Sequence, residues 1–177
     1  MQARGPLMIE HRLIERMLAA IQDALGQIKK TGKVDPIFVD TAVDFILTYA
    51  DLTHHGKEED ILFRDLNKKD LSDVDRKVMN ELLEEHILGR STTRALVEAN
   101  TRYRMGDSSA LEDLVSCLHM LLDFYPGHIE KEDRVFFPAC RAYFSEAEEQ
   151  AMLDEFRDFD QKMIHRKYKS LVDDLGK

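Results

Sequence analysis

The chain has 177 residues, enough for one domain with a real core, and mixes 44% apolar with 33% charged residues as an amphipathic helical protein does. Its formal net charge of −9 argues against nucleic acid or an anionic membrane surface as the main partner. Only 8 Gly and 4 Pro punctuate it, which predicts few loops and long helices.

Leu7, His11, Ile14, Leu18, Ile21, Leu25 and Ile28 recur at spacings of three and four. The pattern predicts an amphipathic helix from about residue 6 to about residue 30 with His11 inside its apolar stripe, and Gly32 punctuates its end. Asp35-Pro36 reads as an N-cap followed by Pro at the first helical position. The second helix carries Phe38, Ala42, Phe45, Leu47, Ala50, His54, Glu58, Ile61 and Leu62 on its core face. Gly56 costs this helix roughly 1 kcal/mol relative to Ala, a cost that close packing by another helix would explain.

A third helix opens at Ser72, with Asp75 as the partner in a capping box, and carries Val78, Met79, Leu82, Leu83, His86, Gly89, Thr93 and Val97. The turn Gly106-Asp107-Ser108 leads to a fourth helix with Leu111, Leu114, Leu118, Leu121 and Leu122. Pro126-Gly127 either kinks that helix or ends it just before His128. Ser145 with Glu148 is a second capping box, for a fifth helix over about 146–174, closed by Gly176. Its core face is read as Met152, Phe156, Phe159, Met163 and either Tyr168 or Leu171. The fold expected is therefore all-α: a single domain over 1–177, with an up-down-up-down four-helix bundle over about 6–140 and an additional C-terminal helix against its outside or end.

Within this frame one stretch occurs twice. His54-His55-Gly56-Lys57-Glu58-Glu59-Asp60-Ile61-Leu62-Phe63 is echoed by His128-Ile129-Glu130-Lys131-Glu132-Asp133-Arg134-Val135-Phe136-Phe137. His, Lys, Glu and Phe keep their offsets, and an acid follows the shared Glu in both copies. A lone His precedes each copy: His11 lies 43 residues before His54, and His86 lies 42 before His128. One helical hairpin used twice accounts for the order. On a helix, His-x-x-x-Glu puts imidazole and carboxylate on one face a turn apart. The alignment selects His54 with Glu58, and leaves His55 and Glu59 solvated or behind the site.

Two hairpins would thus bring together His11, His54, Glu58, His86, His128 and Glu132. Six protein ligands on one ion would be closed and inert. Two ions sharing the carboxylates keep open positions, which suits redox-active iron, with manganese as the alternative, better than structural zinc. Two carboxylates do not neutralise two divalent ions, so an oxide, hydroxide or exogenous ligand is expected between or upon them. Ferritin-like carboxylate sites use Glu-x-x-His, and no Glu stands three residues before any of the seven His.

His11, His54-x-x-x-Glu58, Glu85-His86 and His128-x-x-x-Glu132, with Phe63 and Phe137-Pro138 after the two motifs, resemble the hemerythrin-like proteins, also called the hemerythrin HHE cation-binding domain. The resemblance covers roughly residues 6–140. It implies a four-helix bundle around a non-haem di-iron centre that reacts with O2 or related diatomics. Arg90 stands where the oxygen carriers place a second His in the third helix. Glu132 comes four residues after its His, where theirs is an Asp at five, the position of Asp133 here. A seventh ligand is then sought in His165, which also reads as a surface residue amid Arg166 and Lys167, or in Tyr125 or His119.

Two functions follow as expectations. One is a di-iron protein that binds or senses O2 or nitric oxide, or buffers iron. The other is a di-iron enzyme that consumes peroxide or reduces nitric oxide. A metal-free helical interaction domain is the third reading. Cys117 and Cys140 lie in apolar helical patterns without CxxC and read as reduced thiols. With no apolar run of membrane-spanning length and no signal-peptide core at the N-terminus, a cytoplasmic location is expected.

Overall fold

The computed structural model describes residues 4–175, excluding the side chains of 170, 171, 174 and 175. Gly176, read as a helix end, and the Leu171 side chain lie outside the described residues. Five helices and no strand occur among those described. α1 is Arg4–Thr31. α2 covers residues 36–66, beginning as the α-helix Pro36–Phe45, widening to π-helical Ile46–His55 and Glu58–Phe63, and ending at Leu66. α3 is Asp73–Arg104. α4 covers residues 110–140, with the π-turn Glu132–Phe136 between Ala110–Lys131 and Phe137–Cys140. After a 3-10 turn at Arg141–Tyr143 comes α5, Glu146–Leu175.

The helix starts are capped as the sequence indicates. The Asp35 carboxylate accepts from the Ile37 amide at 3.0 Å, and Pro36 follows. Ser72 Oγ accepts from the Asp75 amide at 3.1 Å, but Asp75 is too short to complete the box, and the Ser72 amide donates to Tyr143 Oη at 3.1 Å instead. Ser145 and Glu148 form a reciprocal box, 2.9 Å one way and 3.4 Å the other. Gly32 and Gly106 hold φ of 66° and 95°, left-handed values that suit glycine where α1 and α3 turn into their loops.

Every residue of the α1 stripe is buried. Its six aliphatic members contribute on the order of 10 kcal/mol gross, enough to hold His11 in an apolar environment. Two registers shift from expectation. Ile46 is buried where Leu47 was expected and Leu47 is 38% exposed, because the π-helical stretch has more residues per turn than an α-helix. On α3, Leu96 is buried in place of Val97. α4 runs through Pro126-Gly127 without a break, so the dipeptide does not end the helix.

The core falls into two apolar clusters. One is built on Ile14–Ile28 of α1, Val39–Ala50 of α2, Leu96 and Ala99 of α3, and Leu114–Ile129 of α4. The other joins Leu7, Ile61–Leu66, Met79, Leu82 and Phe136–Cys140 to Met152, Leu153 and Phe156 of α5. His11, His54, Glu58, His86, His128 and Glu132 fall between them on α1–α4, walled by apolar side chains on both sides. α5 packs Phe156 and Met163 inward, leaves Phe159 half-buried, and exposes Tyr168. A Cβ on Gly56 would lie 2.8 Å from the Phe159 ring, so the glycine is what lets α5 approach α2.

Candidate metal centre

All six ligand candidates are buried, none more than 3% exposed. They meet in two groups whose ligand atoms lie within 4.8 Å of one another: His11, His54, Glu58 and Glu132 in one, and His55, His86 and His128 in the other. The carboxylates span both groups. Glu132 is 3.0 Å from His11 Nε2, 3.3 Å from His128 Nε2 and 3.8 Å from His86 Nε2. Glu58 is 3.6 Å from His54 Nε2 and 3.4 Å from His86 Nε2.

His55 corrects the sequence reading. It was expected to be solvated or behind the site, yet it is 2% exposed, with its ring stacked on His86 at 3.9 Å and its nitrogens grouped with those of His86 and His128. The π-helical geometry of residues 46–55 explains this. Consecutive side chains diverge less around a wider helix, so His54 and His55 both reach the interior. Of the other proposed sources of a seventh group, His165 and His119 are exposed and Tyr125 is buried. The sequence did carry a signal, since His55 aligns with Ile129 and is the one histidine of the two stretches without a counterpart.

Behind the imidazoles stands a second layer with the same twofold pattern. His54 Nδ1 donates to Glu10 at 2.9 Å and His128 Nδ1 to Glu85 at 2.8 Å, each within its own hairpin. His11 Nδ1 donates to Asp133 and His86 Nδ1 to Glu59, both at 2.7 Å, each across to the other hairpin. Asp133, where the oxygen carriers have their last acidic residue, thus faces the back of an imidazole while Glu132 faces the interior. A cation braces each of these carboxylates: Lys57 on Glu10, Lys131 on Glu85, Arg12 on Asp133 and Arg90 on Glu59. Arg90 also reaches Asp51 at 2.7 Å, and Asp51 lies 3.4 Å from His55 Nδ1.

With Nδ1–H committed to a carboxylate, each of the four imidazoles turns its Nε2 inward, the atom that offers a lone pair once deprotonated. These inward atoms have no hydrogen-bond partner. His11, His54, His86 and His128 Nε2, both nitrogens of His55, and both oxygens of Glu58 and Glu132 are buried and unsatisfied. Orphaned polar atoms cost about 1–3 kcal/mol each, so a cluster of this size points to an occupant. Nitrogen and oxygen donors converging on two points are what a pair of borderline divalent ions requires, so the residues fit such a pair.

The electrostatics agree. Burial pushes His11 down, but Asp133 and then Glu132 outweigh it and lift its pKa to about 10. Burial likewise opposes the charge on His86, and Glu132, Glu58 and Glu59 raise it to about 11. His55 goes the other way: burial, then the neighbouring His86, His54 and His128, hold it well below the ordinary value, so it is neutral. Burial would raise Glu132, but the charge of His128 and the contacts of His11 and His86 hold it well below the usual carboxylate range. Without metal, the centre stores positive charge where ions would sit.

No solved structure matches the chain. Three mycobacterial proteins do, one from Mycobacterium bovis and two from strains of Mycobacterium tuberculosis, all described as uncharacterized. Each is 24% identical over 172 residues, a match that covers 96% of this chain and 66% of the relative, so the chain spans less than two thirds of their length. None of the described helices is long and apolar enough to cross a membrane. The match that covers the centre is to the hemerythrin HHE cation-binding domain over residues 6–140, and the chain belongs to that family.

Proposed function

We propose that the chain is a non-haem di-iron protein that binds or senses O2 or nitric oxide, within an up-down-up-down arrangement of α1–α4. The observation that carries the proposal is the set of buried, unpartnered nitrogen and oxygen atoms in two convergent groups. His55, His86 and His128 would hold one ion, His11 and His54 the other, and Glu58 and Glu132 would be shared. When bound, iron supplies open coordination positions and a one-electron couple. The protein supplies the rest: Glu10, Asp133, Glu59 and Glu85 fix the imidazole tautomers, and the two apolar clusters exclude water. Uneven imidazole supply, three on one side and two on the other, leaves the His11 and His54 side more open to a small ligand.

Anaerobic reconstitution followed by metal analysis and optical spectra, reduced and then exposed to air, tests this reading. About two irons per chain and a spectrum that changes reversibly with O2 or nitric oxide are expected. No retained metal removes the proposal. Catalytic loss of added peroxide under the same conditions would instead assign an enzyme.

A pH dependence follows from the charge stored in the metal-free centre. His11 and His86 carry protons at neutral pH, and both must leave for Nε2 to bind an ion. Apparent metal affinity should therefore rise with pH through neutrality, by up to ~10-fold per pH unit for each proton displaced. It should level off as the pH passes about 10 to 11. Titration calorimetry in buffers of different ionisation heat measures the released protons, and a pH-independent affinity would contradict the assignment.

A further inference from the structure

The two halves of the centre are braced alike, except that one brace comes from outside the four helices. In the second half a chain of charges runs Glu81, Lys131, Glu85, His128, with Lys131 Nζ 3.5 Å from Glu81. The first half repeats it as Lys57, Glu10, His54. Glu81 lies four residues before Glu85, and the residue four before Glu10 is Pro6, which has no charge to offer. The missing carboxylate is supplied by Asp160 of α5, 2.8 Å from Lys57 Nζ.

Lys57 depends on it. Its side chain is 0% exposed, whereas Lys131, Arg90 and Arg12 are 27%, 35% and 55% exposed and reach water. A buried ammonium is costly unless fully paired, and Glu10 alone would take its whole charge. The contact is also fixed: Gly56 admits the Phe159 ring, and Phe156 lies under Lys57 with its ring centre 5.9 Å from Nζ.

We propose that Asp160 is a positioning residue for the candidate metal centre: by sharing Lys57, it leaves charge on Glu10 and strengthens the hydrogen bond that orients His54. The C-terminal helix, which lies beyond the matched family region, is then part of the centre rather than an appendage. The inference rests on the di-metal reading for its purpose, but the coupling to His54 holds in the metal-free protein. Asp160 is half-exposed and faces a cleft of about 500 Å³ with Glu10, Thr48, Tyr49 and Thr53. Asp160→Asn therefore removes charge without repacking the core.

The test is the Nδ1–H proton resonance of each site histidine in the metal-free, full-length protein. Asp160→Asn should move the His54 resonance upfield and leave His128 unchanged, Asp160→Glu should restore it, and Glu81→Gln should do the reverse, moving His128 alone. A His54 resonance that stays put in Asp160→Asn, or one that moves together with His128, overturns the proposal. In reconstituted protein, Asp160→Asn should weaken one of two metal sites a few-fold, less than the ~10–100-fold expected when a direct carboxylate partner is lost. Absence of metal from the wild-type protein would defeat the di-metal reading, while the resonances would still decide the coupling.

Discussion

Glu132→Gln should leave the chain folded and unable to hold either ion. Glu132 is the group closest to both sides of the centre, within 3.0 Å of His11 Nε2 and 3.3 Å of His128 Nε2. The amide keeps the size and loses the charge. One negative charge then remains, on Glu58, to face two divalent ions in a dry cavity. Stripping one partner from a buried charge cluster costs roughly 3–5 kcal/mol, or about 100- to 5,000-fold in affinity, and the loss falls on both ions because the oxygens are shared. Metal analysis after reconstitution and dialysis should fall from about two irons per chain to nearly none, with the helical circular dichroism preserved. Retention of two ions by Glu132→Gln would remove the bridging role and with it the paired-ion geometry.

The helices and the ligand types were open to reading because each follows from a local rule. The α1 stripe keeps a 3.6-residue period, and all seven of its positions are buried. Asp35-Pro36 and Ser145 with Glu148 are local cap chemistry, and they form. Glu58 and Glu132 were selected by aligning one repeat on the other, a comparison that needs no coordinates. What stayed hidden depends on non-local geometry or on departures from the α-helical period. An α-helical wheel turns His55 away from His54, but residues 46–55 are π-helical and both reach the interior. The same wheel puts Leu47 inside, whereas Leu47 is 38% exposed and Ile46 is buried. The carboxylates behind His11 and His86 come from the opposite hairpin, so their pairing with Asp133 and Glu59 appears only once the hairpins are docked. The Lys at a shared offset was visible in both copies, but that Lys57 is buried against Asp160 and Phe156 of α5 while Lys131 is 27% exposed appears only once α5 is docked.

His55→Ile distinguishes a ligand from a buried bystander, because the two roles give opposite results in the same variant. Ile is what the echo carries at this place, as Ile129, 4% exposed and packed in the first apolar cluster. In the metal-free protein, His55 buries two nitrogens that have no hydrogen-bond partner, against three other imidazoles. Replacing them with hydrocarbon removes an unsatisfied polar group, so the metal-free variant should gain about 1–3 kcal/mol, a rise in Tm of roughly 2–10 °C. The loaded protein should do the reverse. His86 and His128 alone hold an ion far less well than three imidazoles, so iron content should drop from about two toward about one per chain, and the stabilisation that loading confers should shrink. A core histidine with no metal role would raise Tm equally with and without iron and leave the iron content alone. Thermal melts of both forms, paired with metal analysis, therefore assign the residue: only a group that costs stability when the centre is empty and returns it when the centre is filled gives the two opposite signs.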